Sequence, residues 1–351
     1  MIDADALVIG AGPAGLWQVF ECGLLDLRCV IVDVLPAAGG QCVELYADKT
    51  IHDLPGAPGL SGRALTERLL EQIHPFAPTW HLGEQVTALA QREDGRFELG
   101  TSAGHRFDAA CVFIAAGVGA FLPRRLSVEG LEAFEGGPGT DPTRHAVFHH
   151  VLPEAEAAGR DVVVVGGEDA ALRQVVALAH SPTPPARLTL LHRRDKFDAD
   201  DPSLSTALAE LRASGRVEVI AGQPTGLVVE DGALRGLNVA TADERDLTLP
   251  LQRLAVCLGL SPKLGPIADW GLAMARKQLV VDTARFETSV PGIHAVGDVV
   301  TYPGKRKLIL SAFHEATLAA FAAAERLRGG PVPLEYTTSS RTLQSRLGHT
   351  G

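Results

Sequence analysis

Two parts of the sequence alternate short apolar runs with glycine turns and helix-compatible segments, which is the pattern of β–α–β units in a parallel sheet. In the first part, the apolar run 6–9 predicts a buried strand, and the segment from the glycine turn at 10–15 to about Leu25 predicts a helix. A second apolar run, 29–32, predicts the next strand and leads directly into Asp33. The chain therefore opens with a predicted strand, helix and strand in immediate succession.

The first glycine turn has the spacing Gly-x-Gly-x-x-Gly where the predicted strand gives way to the helix. In such a turn the first glycine allows the bend, the second lets a pyrophosphate reach the backbone, and the third lets the helix pack closely on the strand. The helix N-terminus offers N–H donors and a partial positive charge to phosphate groups. An acid about 20 residues after the motif binds a ribose hydroxyl, and Asp33 stands 18 positions after Gly15. A lone glycine motif would also fit any strand–helix loop, but the matching succession of elements favours a dinucleotide site. Its candidate residues are Gly10, Gly12, Pro13, Ala14, Gly15 and Asp33.

The middle of the chain repeats this organisation. The run 162–165 predicts a buried strand, a helix is predicted to about His180, and the run 188–191 predicts the following strand. Two arginines follow that strand, where an NAD site would carry an acid, and forked, charge-assisted hydrogen bonds from arginine suit a 2′-phosphate. A solvated basic turn is the alternative interpretation. The candidate residues of this second site are Gly166, Gly167, Ala171, His192, Arg193 and Arg194.

Residues 291–298 predict a further strand that ends in Gly297-Asp298. A Gly-Asp pair alone is typical of a surface turn. Here the segment resembles the second FAD fingerprint of two-domain flavoprotein reductases, in which the aspartate binds the ribitol. Together with the N-terminal turn it indicates that FAD is held by segments from both ends of the chain.

Composition narrows the class of protein. A length of 351 residues predicts two domains, and a net charge of −10 argues against nucleic-acid binding, which needs a broad basic field. Five cysteines without C-x-x-C spacing indicate reduced thiols, and no apolar run is long enough to predict a membrane span. The acidic N-terminus does not fit a signal peptide, so we expect a cytoplasmic protein with no membrane partner. Since the adjacent His149 and His150 would point to opposite faces of a strand, no metal site is expected.

Six further segments are distinctive. They read Gly-Gly-Gln at 39–41, Tyr-Ala-Asp-Lys at 46–49, Ala-Ala-Gly at 115–117, His-Arg-Arg-Asp at 192–195, Tyr-Pro-Gly-Lys at 302–305 and Tyr-Thr-Thr-Ser-Ser at 336–340. With these segments the sequence resembles the thioredoxin-reductase-like flavoproteins, and among them the thioredoxin-reductase-type ferredoxin–NADP reductases, over essentially the whole chain. Thioredoxin reductase itself is disfavoured because it needs a redox-active C-x-x-C, and residues 147–151 offer no thiol.

The resemblance implies an α/β fold of two nested Rossmann-like, doubly wound dinucleotide-binding domains, with FAD and NADPH as cofactors. It implies hydride exchange between NADPH and flavin N5 and one-electron transfer to or from a ferredoxin or flavodoxin, in either direction, by a homodimer. Tyr46 would stack on one face of the flavin, and Tyr336 of the C-terminal extension would cover the other face, from the same or the partner subunit. The further FAD contacts implied are Gly40, Gln41, Ala116, Gly117, Gly297, Asp298 and Thr338.

One position departs from the family pattern. The middle turn of the family reads Gly-Gly-Gly-Asp-Ser-Ala, and its third glycine is Glu168 here. A side chain and a negative charge thus stand where the backbone should meet two phosphates. Since Arg193 and Arg194 are retained, we expect weakened but real NADPH binding. Two alternatives stay open: an FAD protein of this fold with an impaired nicotinamide site, and a reductase of a small disulfide or quinone.

The predicted FAD domain comprises residues 1–117 and 290–351, and the predicted NAD(P)H domain comprises residues 118–289. A helix starting near Ser311 is expected to direct its positive end at the flavin. The segment 304–307, Gly-Lys-Arg-Lys, is a candidate basic contact for an acidic ferredoxin, with a solvated loop as the alternative.

Overall fold

The computed structural model describes residues 1–136, 144–149, 151–197, 199–241, 243 and 245–349. The chain forms two compact units, and the first of them is discontinuous: it comprises residues 1–120 and 262–351, whereas the second comprises residues 121–261. Across the described residues, no helix combines the length and the apolar composition that a membrane span requires.

A seven-stranded sheet forms the centre of the first unit. Its order is β5-β2-β1-β8-β7-β6, and β20 pairs with the second half of β8. The pairs of β1 with β2 and β8, of β2 with β5, and of β8 with β20 are parallel, whereas β6, β7 and the first half of β8 form an antiparallel meander. The strands are β1 (Ile2–Ile9), β2 (Cys29–Asp33), β5 (Thr79–Leu82), β6 (Val86–Gln91), β7 (Phe97–Thr101), β8 (Arg106–Ile114) and β20 (Ile293–Ala295).

The predicted opening of the chain is confirmed, since β1, a first helix and β2 follow one another as expected. The helices of this unit are α1 (Pro13–Leu24), α2 (Gln41–Glu44), α3 (Gly62–Ile73), α7 (Ile309–Arg328) and α8 (Arg341–Arg346). Its remaining short strands are β3 (Thr50–Ile51), β4 (Leu60–Ser61), β18 (Met274–Ala275), β19 (Gln278–Val280) and β21 (Val300–Thr301). The central strands are apolar without alternation because helices cover the parallel sheet; Leu7, Val8 and Phe113 have no exposed surface.

The second unit contains a seven-stranded sheet of order β10-β16-β11-β12-β13-β14-β15. Its first five strands are parallel, and β13, β14 and β15 form an antiparallel meander. The strands are β10 (Val147–His149), β11 (Asp161–Val165), β12 (Arg187–His192), β13 (Glu218–Glu230), β14 (Ala233–Thr241), β15 (Asp246–Pro250) and β16 (Arg253–Val256). The helices are α4 (Glu154–Ala157), α5 (Asp169–His180) and α6 (Pro202–Ala213). Both units are therefore Rossmann-like α/β folds, as predicted.

The chain passes between the units at β9 (Ala120–Pro123) and at β17 (Leu260–Lys263). The first crossing lies close to the expected position, but the return crossing comes earlier than the expected residues 289–290. The reason is local pairing in the first unit: β18 pairs with β19, which pairs in parallel with β21. The side-chain amide of Gln278 also donates to the carbonyl oxygens of Asp298 and Val300, at 3.0 and 2.9 Å. Residues 262–289 thus belong to the unit that carries Asp298.

Candidate dinucleotide sites

The first glycine turn lies between β1 and α1, and two of its glycines are required by the protein itself. Gly10 has a φ of +111°, and a Cβ there would lie 2.4 Å from the carbonyl oxygen of Ala115. A Cβ on Gly15 would lie 1.8 Å from the carbonyl oxygen of Gly10. The packing of helix against strand therefore excludes any side chain at these two positions.

Gly12 differs, because packing within the described structure does not require a glycine at this position. A Cβ on Gly12 would meet only the Cα of Gly40, at an ordinary 3.8 Å. The two glycines face each other and leave bare backbone at the N-terminus of α1, which begins with Pro13 and has no side-chain cap. Such a cradle of uncapped N–H groups fits a pyrophosphate, which needs backbone donors and close approach.

Asp33 ends β2 as predicted and has only 8% of its surface exposed. One carboxylate oxygen accepts the backbone N–H of Ala11 at 2.5 Å, and the other accepts that of Leu35 at 2.8 Å. Burial raises the pKa of Asp33, and these two hydrogen bonds partly offset the rise. Each oxygen retains a lone pair, so the carboxylate also fits as an acceptor for ribose hydroxyls.

Residues from three distant segments meet beside this turn. The amide of Gln41 donates to the carboxylate of Asp298 at 3.3 Å, and a Cβ on Gly117 would lie 2.9 Å from the same amide nitrogen. Gly297, with a φ of +83°, lies against Ala14: a Cβ on Gly297 would come within 3.2 Å of the Ala14 Cβ. The predicted strand–turn at 291–298 is thus placed next to the N-terminal turn. Ala116 lies in the same loop as Gly117 and accepts the N–H of Gly119 at 2.8 Å.

The two predicted stacking tyrosines differ in environment. Tyr46 is half-buried, and its hydroxyl lies 3.4 Å from the sulfur of Cys42. Burial raises the pKa of Tyr46, and the hydrogen bond with Cys42 adds to the rise. Tyr336 is 64% exposed, and Thr338 is also exposed. Within the described part of the chain, no side-chain hydrogen bond or ring contact joins Tyr336 to Tyr46.

The C-terminal extension docks on the helix of its own chain that follows the first glycine turn. Leu343 of α8 is buried, and the Arg346 guanidinium donates to the carbonyl oxygen of Leu24 at 2.6 Å. Arg346 also forms an ion pair with Asp26 at 3.1 Å. The extension is therefore anchored beyond Tyr336 and leaves that ring exposed.

Sequence reasoning missed Glu315, which lies on α7 with no exposed surface. Its carboxylate accepts the backbone N–H of Gly297 and the hydroxyl of Tyr302, both at 2.7 Å, and it forms a buried ion pair with Lys305. The Tyr-Pro-Gly-Lys segment is thus held on α7, and Lys305, expected as a surface contact, is internal instead. A signal existed in the sequence, since Glu315 interrupts a stripe of alanines at helical spacing.

In the second unit, the glycine turn between β11 and α5 is shaped by packing. A Cβ on Gly166 would lie 2.3 Å from the carbonyl oxygen of Cys257 and 2.7 Å from the Cβ of Ala171. A Cβ on Gly167 would fall within 2.4 Å of the His192 ring. The first two glycines and Ala171 therefore let α5 and His192 approach the turn closely.

Glu168 lies at the N-cap position of α5 but does not cap the helix with its side chain. Its carboxylate instead faces Gly259: a Cβ on that glycine would lie 3.2 Å from Oε2 of Glu168. Gly259 follows β16, which neighbours β11 in the sheet. The exposed carboxylate thus stands at the carboxyl edge of the two strands, where ligands of such sheets bind.

Arg193 and Arg194 follow β12 and are both exposed. Neither forms an ion pair with another described residue, whereas the neighbouring Asp195 binds Arg212 in a two-bond pair at 2.9 and 2.8 Å. The turn is therefore shaped by Asp195, and the two guanidinium groups are available to a ligand phosphate.

All five cysteines are buried. The described residues contain no disulfide that could serve a dithiol reaction.

The adjacent histidines 149 and 150 are not expected to bind a metal. The ring of His149 forms a hydrogen bond with Glu135 at 2.8 Å. His150 lies outside the described residues.

Comparison with known proteins identifies a matching protein family and similar reductases. The model of the pyridine nucleotide-disulphide oxidoreductase family matches residues 4–320. A ferredoxin–NADP reductase from Paracidovorax citrulli is 52% identical, over 100% of this chain and 98% of that protein. A ferredoxin–NADP reductase from an Acidovorax species is 53% identical, over 98% of this chain and 95% of that protein.

Solved structures share the fold at much lower identity. Thioredoxin reductase from Lactococcus lactis has a TM-score of 0.59 and 21% identity, covering 93% of this chain and 99% of that one. Bacillithiol disulfide reductase from Staphylococcus aureus has a TM-score of 0.62 and 15% identity, covering 91% and 98%. The predicted thioredoxin-reductase-like fold is confirmed.

Proposed function

This chain belongs to the pyridine nucleotide-disulphide oxidoreductase family, and we propose that it is an FAD-dependent ferredoxin–NADP or flavodoxin–NADP reductase. The observation that carries the proposal is the meeting of Gly12, Gly40, Asp33 and the Gln41–Asp298 pair around one cradle. Segments from both ends of the chain build this cradle, as an FAD with its pyrophosphate, ribose and ribitol requires.

Each group of the cradle has a defined task. The uncapped N-terminus of α1 would bind the pyrophosphate, Asp33 would accept the ribose hydroxyls, and Asp298 would accept from the ribitol. When bound, the flavin supplies the exchange of a hydride with nicotinamide and of single electrons with a protein partner. Tyr46, half-buried beside Cys42, would pack against the flavin ring and exclude water from one face.

NADPH would bind the second unit along the carboxyl edge of β11, β12 and β16. Arg193 and Arg194 would hold the 2′-phosphate, and Gly166, Gly167, Ala171 and His192 would form the floor of the turn. A second candidate function, an FAD protein with an impaired nicotinamide site, is favoured by the position of the Glu168 carboxylate over this turn. Reduction of a disulfide finds less support, since the cysteines are buried and lack a C-x-x-C pair.

The enzyme acts in the cytoplasm as a homodimer, in which Tyr336 of one protomer covers a flavin of the same or the other protomer. The exposure of Tyr336, together with the anchored α8, supports this role, because the ring stands ready for a ligand or a second chain. The unit of residues 1–120 and 262–351 would carry the FAD, and the unit of residues 121–261 would carry the NADPH.

Anaerobic rapid-mixing reduction of the purified protein by NADPH and by NADH tests the proposal. We expect yellow protein with one FAD per chain and faster reduction by NADPH. Replacing both Arg193 and Arg194 by Ala removes charge-assisted bonds of roughly 1.5–3 kcal/mol each, so the NADPH concentration for half-maximal rate should rise at least about ten-fold. The NADH value should change little.

Arg235→Ala, which removes an exposed arginine of β14 in the same unit, serves as the control. It should leave the half-maximal concentrations of both nucleotides unchanged. Folded protein that stays colourless and takes up no FAD would refute the whole proposal. If the half-maximal concentrations of NADPH and NADH rise equally in the double variant, only the assignment of the two arginines to the phosphate site is refuted.

A further inference from the structure

Two imidazoles and a carboxylate meet in the first unit, outside the residues assigned to FAD. His81 lies on β5, Glu84 lies in the turn after that strand, and His105 directly precedes β8. The Nδ1 atom of His81 lies 3.3 Å from one oxygen of Glu84, and the Nδ1 atom of His105 lies 2.9 Å from the other. Two ring nitrogens therefore converge on one carboxylate.

The surroundings of this cluster fix its members in place. Glu84 is buried and accepts the hydroxyl of Thr101 at 2.7 Å. The His81 ring packs edge-on against Phe107 with 4.9 Å between ring centroids, and against His105 with 4.7 Å. The Thr101 hydroxyl thus orients the carboxylate, as outer hydrogen bonds orient metal ligands in proteins, and ring packing holds His81 in place.

The distances suit a small metal ion. One ligand atom from each of the three residues can be chosen so that all lie within 4.8 Å of one another. Four ligands around zinc, at about 2.0–2.1 Å from the metal, lie about 3.3 Å apart. Closing the cluster therefore needs a shift of roughly 1.5 Å at most. The His105 side chain is 46% exposed and has room to make this shift.

We propose that His81, Glu84 and His105 form a zinc-binding site, with water as the fourth ligand on the exposed side of His105. Two nitrogen donors and one carboxylate suit Zn²⁺ and disfavour Mg²⁺, which prefers oxygen ligands. Each ring that binds the metal through one nitrogen keeps its proton on the other nitrogen, so neutral histidines bind without loss of a proton.

The site would brace the edge of the sheet next to the proposed adenosine end of the FAD cradle. The backbone N–H of Glu84 donates to the carbonyl oxygen of Asp33 at 3.0 Å, and that of Gly83 donates to Leu35 at 2.9 Å. A metal held by β5 and the start of β8 binds only the folded unit and therefore stabilises it. This role requires neither NADPH binding nor turnover.

Equilibrium dialysis of the untagged, FAD-loaded protein against Zn²⁺, after removal of metals with a chelator, tests the proposal. We expect one Zn²⁺ per chain with a dissociation constant of roughly a micromolar or tighter, a higher Tm with Zn²⁺, and neither effect with Mg²⁺. His105→Ala, at the exposed ligand, should weaken zinc binding at least about ten-fold while keeping FAD content. Glu84→Gln should weaken it as well.

The control is His52→Ala, which removes an exposed histidine of the same unit outside the cluster and should bind zinc as the wild type does. Wild-type protein that binds no more zinc than His105→Ala would overturn the proposal and leave the cluster a hydrogen-bonded brace. Loss of zinc binding in His52→Ala to the same extent would overturn it too, because the metal would then lie elsewhere.

Discussion

Glu168 is the residue whose position bears most directly on nicotinamide binding. Its carboxylate faces Gly259 over the carboxyl edge of β11 and β16, not the first turn of α5. A bound pyrophosphate would meet both its bulk and its charge, so we expect the wild type to bind NADPH weakly. Glu168→Gly should tighten binding by about ten-fold or more, as measured by titration of the flavin-loaded protein with NADP⁺.

Glu168→Gln separates the two causes, because it removes the charge and keeps nearly all of the volume. Recovery with Gln identifies electrostatic repulsion, and recovery with Gly alone identifies steric closure. Glu218→Gln, an exposed site on β13 of the same unit, should leave affinity unchanged. Equal affinity of the wild type and Glu168→Gly at one ionic strength would contradict the expectation.

Single residues were predictable where a local motif fixes their role. Gly10 and Gly15 follow from spacing alone, since helix packing on a strand forbids side chains there. Glu315 did not follow, because its partners Gly297, Tyr302 and Lys305 are brought to it by the fold. Lys305 was wrongly expected on the surface for the same reason: a lysine in a basic run does not reveal a buried acid ten residues later.

At the scale of elements, α7 holds the Gly297 turn and the Tyr302–Lys305 segment through Glu315. Glu315→Gln would leave the Lys305 ammonium buried without a charged partner, and breaking a buried pair in this way costs about 3–5 kcal/mol. We expect the unfolding midpoint in urea to fall accordingly. FAD retention on gel filtration should also fall, since the single amide oxygen of Gln can accept from Gly297 or from Tyr302 and Lys305, but not on both sides, which loosens the turn that carries Asp298.

Glu325→Gln makes the same chemical change on the same helix, where the side chain is half-exposed. It should alter stability by no more than about 0.5 kcal/mol. An equal unfolding midpoint for the two variants would mean that the buried pair does not support the turn.

The elements themselves were predictable to different degrees. The buried parallel strands β1, β2, β11 and β12 appear in the sequence as unbroken apolar runs between glycine turns. The meander of β6 and β7 was not predicted, because β6 is largely exposed and lacks an apolar run. The helix expected near Ser311 begins slightly earlier, at Ile309.

At the scale of the whole molecule, the return crossing was the least predictable feature. Its position depends on the pairing of β19 with β21, two very short strands. A pairing of two residues leaves almost no periodic signal in sequence, whereas the nested order of the two glycine motifs indicated the discontinuous unit directly.

The charge of the whole molecule bears on its proposed protein partner. A net charge of −10 repels an acidic ferredoxin at long range, so docking needs a local basic surface. Ahead of α7, Arg306 and Lys307 are exposed next to the exposed apolar side chains of Leu308 and Leu310. Basic side chains beside exposed apolar ones suit the recognition of an acidic protein.

Replacing Arg306 and Lys307 by Glu should therefore raise the KM for ferredoxin by about ten-fold or more at low salt. This increase in KM should become smaller as ionic strength rises. Electron transfer to ferricyanide, which needs no protein docking, should be unchanged. The control replaces Arg276 and Lys277, a second exposed Arg–Lys pair on the turn between β18 and β19, by Glu. Both double variants change the net charge by the same amount, so a general repulsion would affect them equally. A larger increase in KM in the first variant places the docking surface ahead of α7, and equal increases in both variants would refute that placement.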